Sequence, residues 1–160
     1  MQITDPNLLD LLKLLLAVAL GVFVGFEREL AHKPAGVRTI GVVTLGSCVV
    51  MLLGMHMASS SSGIDATRMA AQVITGIGFL CAGVIIQTRQ QVQGLTTAAV
   101  VWVMASVGLA VGAGFYLLAI AASFLTWLGL VLDPLVQKAV AWRRRLTPRA
   151  YDIPDEDIEL

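Results

Sequence analysis

The feature that most limits this chain is the run from Leu95 to Leu132, 38 residues without one formal charge. As a single helix it would be about 57 Å long, at about 1.5 Å per residue. A bilayer offers only about 30 Å of hydrocarbon, so the run has to fold back on itself. The "GAG" at 112–114 is where it can do so. Two glycines among three small residues let the backbone reverse tightly.

Composition agrees with a lipid environment. Hydrophobic residues make up 57% of the 160-residue chain and charged residues only 14%. Soluble domains carry about 25% charged residues. The apolar residues come in blocks, which leaves no face for water over long stretches. The expected fold is all-α, a polytopic transmembrane helical bundle with about five spans. These cover residues 8–26, 37–57, 66–86, 95–111 and 115–132, within a transmembrane domain over 1–134. Residues 1–26 read as a retained span, because Asp5 and Asp10 stand where a signal peptide would be positive. Asp133-Pro134 is the expected break after the fifth span. Residues 135–147, with Lys138 and Arg143, Arg144 and Arg145 beside Val136, Val140 and Trp142, fit a basic interfacial helix over anionic lipid. Residues 148–160 are expected to be an acidic disordered tail.

An odd number of spans puts the termini on opposite sides, and basic residues choose which. With the C-terminus inside, Arg28, Lys33, Arg38, Arg89, Lys138, Arg143, Arg144, Arg145 and Arg149 are cytoplasmic, and only Lys13 and Arg68 are outside. The expected orientation is N-terminus out and C-terminus in. Small residues recur four apart, as Ala17, Gly21 and Gly25, as Gly78 and Ala82, and as Gly108 and Gly112. Such positions let helices approach closely in lipid. Packing within the chain is the favoured use for the first and third spans, with a homodimer face as the other.

Ionisable groups at or within spans are costly in hydrocarbon and mark candidate functional positions. Three clusters stand out. The first is Glu27, Arg28, Lys33, Pro34, Gly36, Arg38 and Thr39, at the turn between spans one and two. A short reversal there sets Glu27 toward Arg38 as an expected ion pair at the membrane edge. The second is Asp65, Arg68, Gln72 and Thr75. Asp65 suits a helix N-cap, and the other three share one helix face. The third is the loop bearing Arg89, with Gly94, Thr96 and Thr97 at the start of span four. Those threonines can cap that helix or bond back to it.

Zero net charge gives no pull toward nucleic acid. No carboxylate lies deep in a span, and there is no Gly-Lys-Ser/Thr phosphate loop and no Ser-His-Asp set. His32 and His56 fall on opposite sides. Cys48 and Cys81 have neither zinc spacing nor a disulfide framework. No catalytic residue, cofactor or metal ligand set is expected, and the chain reads as a non-enzyme.

Three blocks in order carry a family resemblance: "GFEREL..KPAGVRTIGVVTLGS", "ATRMAAQVITGIGFLCAGVIIQ" and "VQGLTTAAVVWVMASVGLAVGAGFY". Together they cover roughly residues 10 to 130. The chain resembles the MgtC/SapB family of multi-pass bacterial inner-membrane proteins. The resemblance implies a regulatory role through binding another membrane complex, with the ATP synthase as the candidate partner. It also implies a link to magnesium limitation and virulence. Members often add a cytoplasmic domain after the last span, and function seated there is not carried over. Membrane lipid is the other expected partner. The alternative is a small ion transporter or channel subunit acting as a homo-oligomer.

Overall fold

The computed structural model describes residues 6–60, 65–87 and 92–146, with side chains over 8–59, 65–85 and 92–132. It is an all-α bundle: α1 (Pro6–Leu30), α2 (Val37–Ser60), α3 (Ala66–Val84), α4 (Leu95–Gly112) and α5 (Tyr116–Leu146). Four of these, α1 to α4, are long and apolar enough to cross a membrane, and the apolar part of α5 spans Tyr116–Leu132. At about 1.5 Å per residue that part covers about 26 Å, and the helix continues beyond it.

Two expected boundaries move. The third span ends at Val84 rather than residue 86, because Ile85 is extended (φ −83°, ψ 118°). Ile86–Gln87 (β1) then pairs antiparallel with Val92–Gln93 (β2). The run Val84-Ile85-Ile86 is β-branched, which lowers its helix preference and raises its strand preference. The break expected at Asp133-Pro134 is absent, since α5 stays helical to Leu146. A proline costs a helix one hydrogen bond and bends it, and membrane helices tolerate this. The separate interfacial helix at 135–147 is thus the continuation of α5 as far as Leu146. The tail at 148–160 lies outside the described residues.

Helix α2 is the hub, with α1 and α4 both packed on it. Close approach is set by glycine. A Cβ on Gly21 would lie 2.9 Å from both the Cα of Gly41 and the Oγ1 of Thr44. One on Gly25 would lie 2.7 Å from the Cα of Val37. From α4, a Cβ on Gly108 would collide with the Thr44 carbonyl, and one on Gly112 would sit 2.8 Å from the Cys48 carbonyl. Real Cβ atoms do not sit that close. The polar residues of this seam satisfy themselves. Thr44 donates to the Ile40 carbonyl (2.8 Å) and Ser47 to that of Val43 (2.9 Å). Around them lie Val24, Ile40, Cys48, Met104, Val107 and Val111, all essentially inaccessible.

Burial falls off outward. The most apolar window of α4 is 56% buried, whereas that of α3 is 11% buried. The small residues of the two helices differ in the same way. Gly21, Gly25, Gly108 and Gly112 meet α2, but Gly76, Gly78 and Gly83 of α3 have nothing within 4 Å of a built Cβ. Packing within the chain therefore holds for the first span and not for the glycines of the third. We expect Gly108→Ala to lower stability by about 1–3 kcal/mol through overpacking. Gly78→Ala should be neutral or stabilising by up to about 1 kcal/mol, through helix propensity alone. Thermal unfolding in detergent micelles compares the two.

Two helix ends use one capping scheme. At the end of α4, Phe115 N–H donates to the Ala110 carbonyl (2.8 Å) and Gly114 N–H to that of Val111 (3.0 Å). Gly114 takes the left-handed position, φ 89°. This is the turn expected at "GAG". At the end of α1, Lys33 N–H donates to Arg28 and His32 N–H to Glu29, both at 3.0 Å. Here the left-handed residue is His32, φ 54°. These are Schellman caps, and glycine fits that position without a Cβ penalty. His32→Gly should raise stability by about 1 kcal/mol, the left-handed cost of a side chain. Gly114→Ala should lower it by a similar amount. Paired denaturation curves check both.

Candidate functional site

The α1–α2 turn gathers the first cluster at one end of the bundle. Glu29 turns back so that its Oε2 accepts the Val37 N–H (3.2 Å), capping α2. Its carboxylate occupies the space where a side chain on Gly36 would be, so glycine is the residue that fits there. Ala35 is buried beneath the turn, while Lys33 and Pro34 remain exposed. Arg38 and Thr39 are exposed too, directed away from the packed interior. The ion pair expected between Glu27 and Arg38 is not formed. With Gly25 seated on Val37, the next residue along α2 is turned about 100° away, by the 3.6-residue period. A loop reversal brings helix ends together but does not set their rotation.

Glu27 faces Arg28 instead. Its Oε2 lies 4.0 Å from Nη1, close enough for Coulomb attraction and too far for a hydrogen bond. Arg28 is only 4% exposed. Its Nη2 donates to the Thr97 hydroxyl at 3.0 Å, joining α1 to the first turn of α4 across 69 residues of sequence. Thr97 is itself buried. The threonine expected to cap or back-bond its own helix serves as acceptor for an arginine from another.

Gly94 makes that placement possible. It is the N-cap of α4 at φ 89°, and a side chain on it would run into the Val84 carbonyl. No side chain caps α4 at this residue. The first N–H groups of a helix have no acceptor within it, and the first turn of α4 lines a cavity of about 570 Å³. Arg28, His32, Lys33, Gly94, Thr96 and Thr97 are among its walls. Members of the first and third sequence clusters therefore share one site. Arg89 lies outside the described residues.

The second cluster belongs to the opposite end. Asp65 caps α3, its Oδ1 accepting from the Thr67 N–H (2.8 Å) and hydroxyl (2.7 Å). The Thr67 side-chain bond, then the backbone bond, hold its carboxyl below the ordinary aspartate range. Arg68, Gln72 and Thr75 are all exposed along α3, and Thr75 bonds back to Ala71 (2.9 Å). Between α2 and α3 is a second cavity of about 460 Å³, lined by Val50, Arg68, Met69, Gln72 and Val73.

The same end holds contacts that sequence reasoning missed. Asp10 Oδ2 lies 2.7 Å from His56 Nε2. Lys13 donates to the Gly112 carbonyl at 3.3 Å, a cation on the negative end of α4. The signal was present, since Asp10, Lys13 and His56 are isolated ionisable residues in apolar blocks. Among the described residues, no group of three or more His, Cys, Asp or Glu side chains could hold a metal ion.

Fold and sites together define a small polytopic helical membrane protein, with a cationic cavity at one end and, at its flank, an apolar helix that exposes Arg68, Gln72 and Thr75. Residues 14–139 match the MgtC family, and the chain belongs to it. It is 41% identical to an uncharacterized protein of Haemophilus influenzae over 92% of this chain and 65% of that protein. It is 36% identical to Protein SapB of Bacillus subtilis, over 91% and 68%. It is 40% identical to the putative magnesium transporter YhiD of Escherichia coli K12, over 72% and 55%. The chain thus spans between 55% and 68% of the length of these relatives. No solved structure matches it.

Thr97 supplies the buried acceptor for a charged donor. Thr97→Val should cost about 1.5–3 kcal/mol, the range for hydrogen bonds to charged groups. Thr97→Ser, which keeps the hydroxyl, should retain most of that stability in the same micelle unfolding assay.

Proposed function

We propose that this chain is a non-enzymatic regulatory protein of the bacterial inner membrane that acts by binding another membrane complex through α3. The carrying observation is the open face of that helix. A Cβ built on Gly76, Gly78 or Gly83 meets nothing within 4 Å among the described residues, Phe79 is 84% exposed, and Arg68, Gln72 and Thr75 run along the exposed side. Small residues on a membrane helix permit close helix approach, and exposed amide and hydroxyl groups gain partners there. A packed α1–α2–α4 unit would hold α3 out to its partner. The N-terminus faces out and the C-terminus the cytoplasm in this reading, by the distribution of basic residues. A link to magnesium is supported by the name of the E. coli relative, a putative magnesium transporter; a role under magnesium limitation is what the family resemblance offers. The ATP synthase is the partner that the family resemblance offers.

The cavity beside Arg68 and Gln72 favours a second reading, a homo-oligomeric transporter. Arg68 on its wall suits anions better than cations. A photo-crosslinker at Phe79 in native membranes separates the two. We expect an adduct with one identified membrane complex, lost in Gly78→Leu, and none from a crosslinker at Leu117, which is equally exposed on α5. Adducts only with further copies of this chain, together with ion flux in proteoliposomes, would overturn the regulatory reading in favour of transport.

A further inference from the structure

We propose that the cavity between the end of α1 and the start of α4 binds a phosphate-bearing ligand. The observations are the cavity, its charge and its rigidity. Its volume is about 570 Å³, within the roughly 300–1,000 Å³ of small-molecule sites and larger than a lone ion needs. Its described walls carry two cations, Arg28 and Lys33, with His32 and the Thr96 and Thr97 hydroxyls, and no carboxylate.

Each cation has a defined place. Arg28 is nearly inaccessible, and its bond to Thr97 fixes the guanidinium plane at the cavity wall. With Nη2 on Thr97 and Nη1 beside Glu27, the guanidinium contributes a fixed positive charge at the wall, which favours an anion there. Glu27, 4.0 Å from Nη1, offsets part of that charge, which leaves Lys33 as the main attraction. Lys33 is set by the Schellman cap of α1, its own N–H tied to the Arg28 carbonyl. It makes no ion pair among the described residues. The first turn of α4 adds N–H groups and the positive end of its dipole, roughly half a charge. A carboxylate would use few of these donors, whereas a phosphate ester presents several oxygens to them.

Two sources carry this chemistry, a soluble phosphoester and an anionic phospholipid headgroup. The full chain is placed in phosphatidylcholine nanodiscs and titrated with inorganic pyrophosphate by calorimetry. In parallel, protein from nanodiscs containing phosphatidylglycerol is released for native mass spectrometry to count retained lipid. Saturable pyrophosphate binding supports the soluble source, and selective retention of phosphatidylglycerol supports the lipid. In either arm Lys33→Gln and Thr96→Val should weaken binding, Lys33→Gln by about five- to tenfold, the loss of one charge-assisted hydrogen bond. Arg38→Gln removes a positive charge from the same end, outside the cavity, and should leave binding unchanged. Both test residues are exposed, so folding is not at stake as it would be at Arg28. Absence of binding in both arms, or equal losses in Lys33→Gln and Arg38→Gln, would overturn the site. Neither result bears on docking through α3, whose Phe79 crosslink reports separately.

Discussion

In lipid, apolar side chains gain little by leaving acyl chains for one another, so helices are held by close backbone contact and polar bonds. The bundle depends on one such contact. At Thr44 of α2, Gly21 arrives from α1 and Gly108 from α4, each too near for a Cβ. Thr44 tolerates this double approach because its hydroxyl is already bonded to Ile40 within the helix. A turn or so away in each direction, Gly25 meets Val37 and Gly112 meets Cys48 and Met51. Four glycines thus fix where α1 and α4 lie relative to α2.

The cationic cavity follows from that arrangement. Arg28 is one turn beyond Gly25 on α1, and Thr97 is three turns before Gly108 on α4. Their meeting at 3.0 Å is a consequence of where the glycines seat the two helices. The charged donor then strengthens what the glycines set, since a buried charge-assisted bond is worth more than a neutral one. At the opposite end, Lys13 on the last carbonyl of α4 ties α1 to that helix again. The α1–α4 relation is pinned at both ends by a cation from α1.

Much of this was legible in the sequence, and the rest was not for identifiable reasons. Span number and turns follow from run length and glycine position, which are properties of short stretches. The reversal at "GAG" and the Asp65 cap are of this kind. Rotation of one helix about its axis is different. It is set by contacts with other helices, and one residue's error turns a side chain by about 100°. Hence Arg38 read as the partner of Glu27 while it actually points away, and Arg28 was not matched to Thr97. The repeats of small residues could not say which helix they meet. The glycines of α1 and α4 meet α2, and those of α3 meet no other helix among the described residues. Pro134 misled for another reason. Proline preferences are strong for helices in water, and α5 carries its proline inside a longer helix.

The unequal use of small residues divides the molecule into parts with different freedoms. An α1–α2–α4 unit locked by glycine contacts cannot shift by small amounts, because packed interfaces resist continuous deformation. Helix α3 packs on α2 and α4 along one side, where Ala66 and Ile77 are buried and Cys81 donates to the Ala98 carbonyl (3.3 Å), and its outer face is exposed. The two are nonetheless joined where Gly94 packs under the Val84 carbonyl, at the C-terminal end of α3 and the N-terminal end of α4. The wall of the cationic cavity and the end of the open helix are therefore the same piece of backbone. Any ligand that tightened the first turn of α4 would bear on the anchor of α3, and any partner that moved α3 would bear on the cavity. Linkage requires any such influence to run equally both ways in binding free energy.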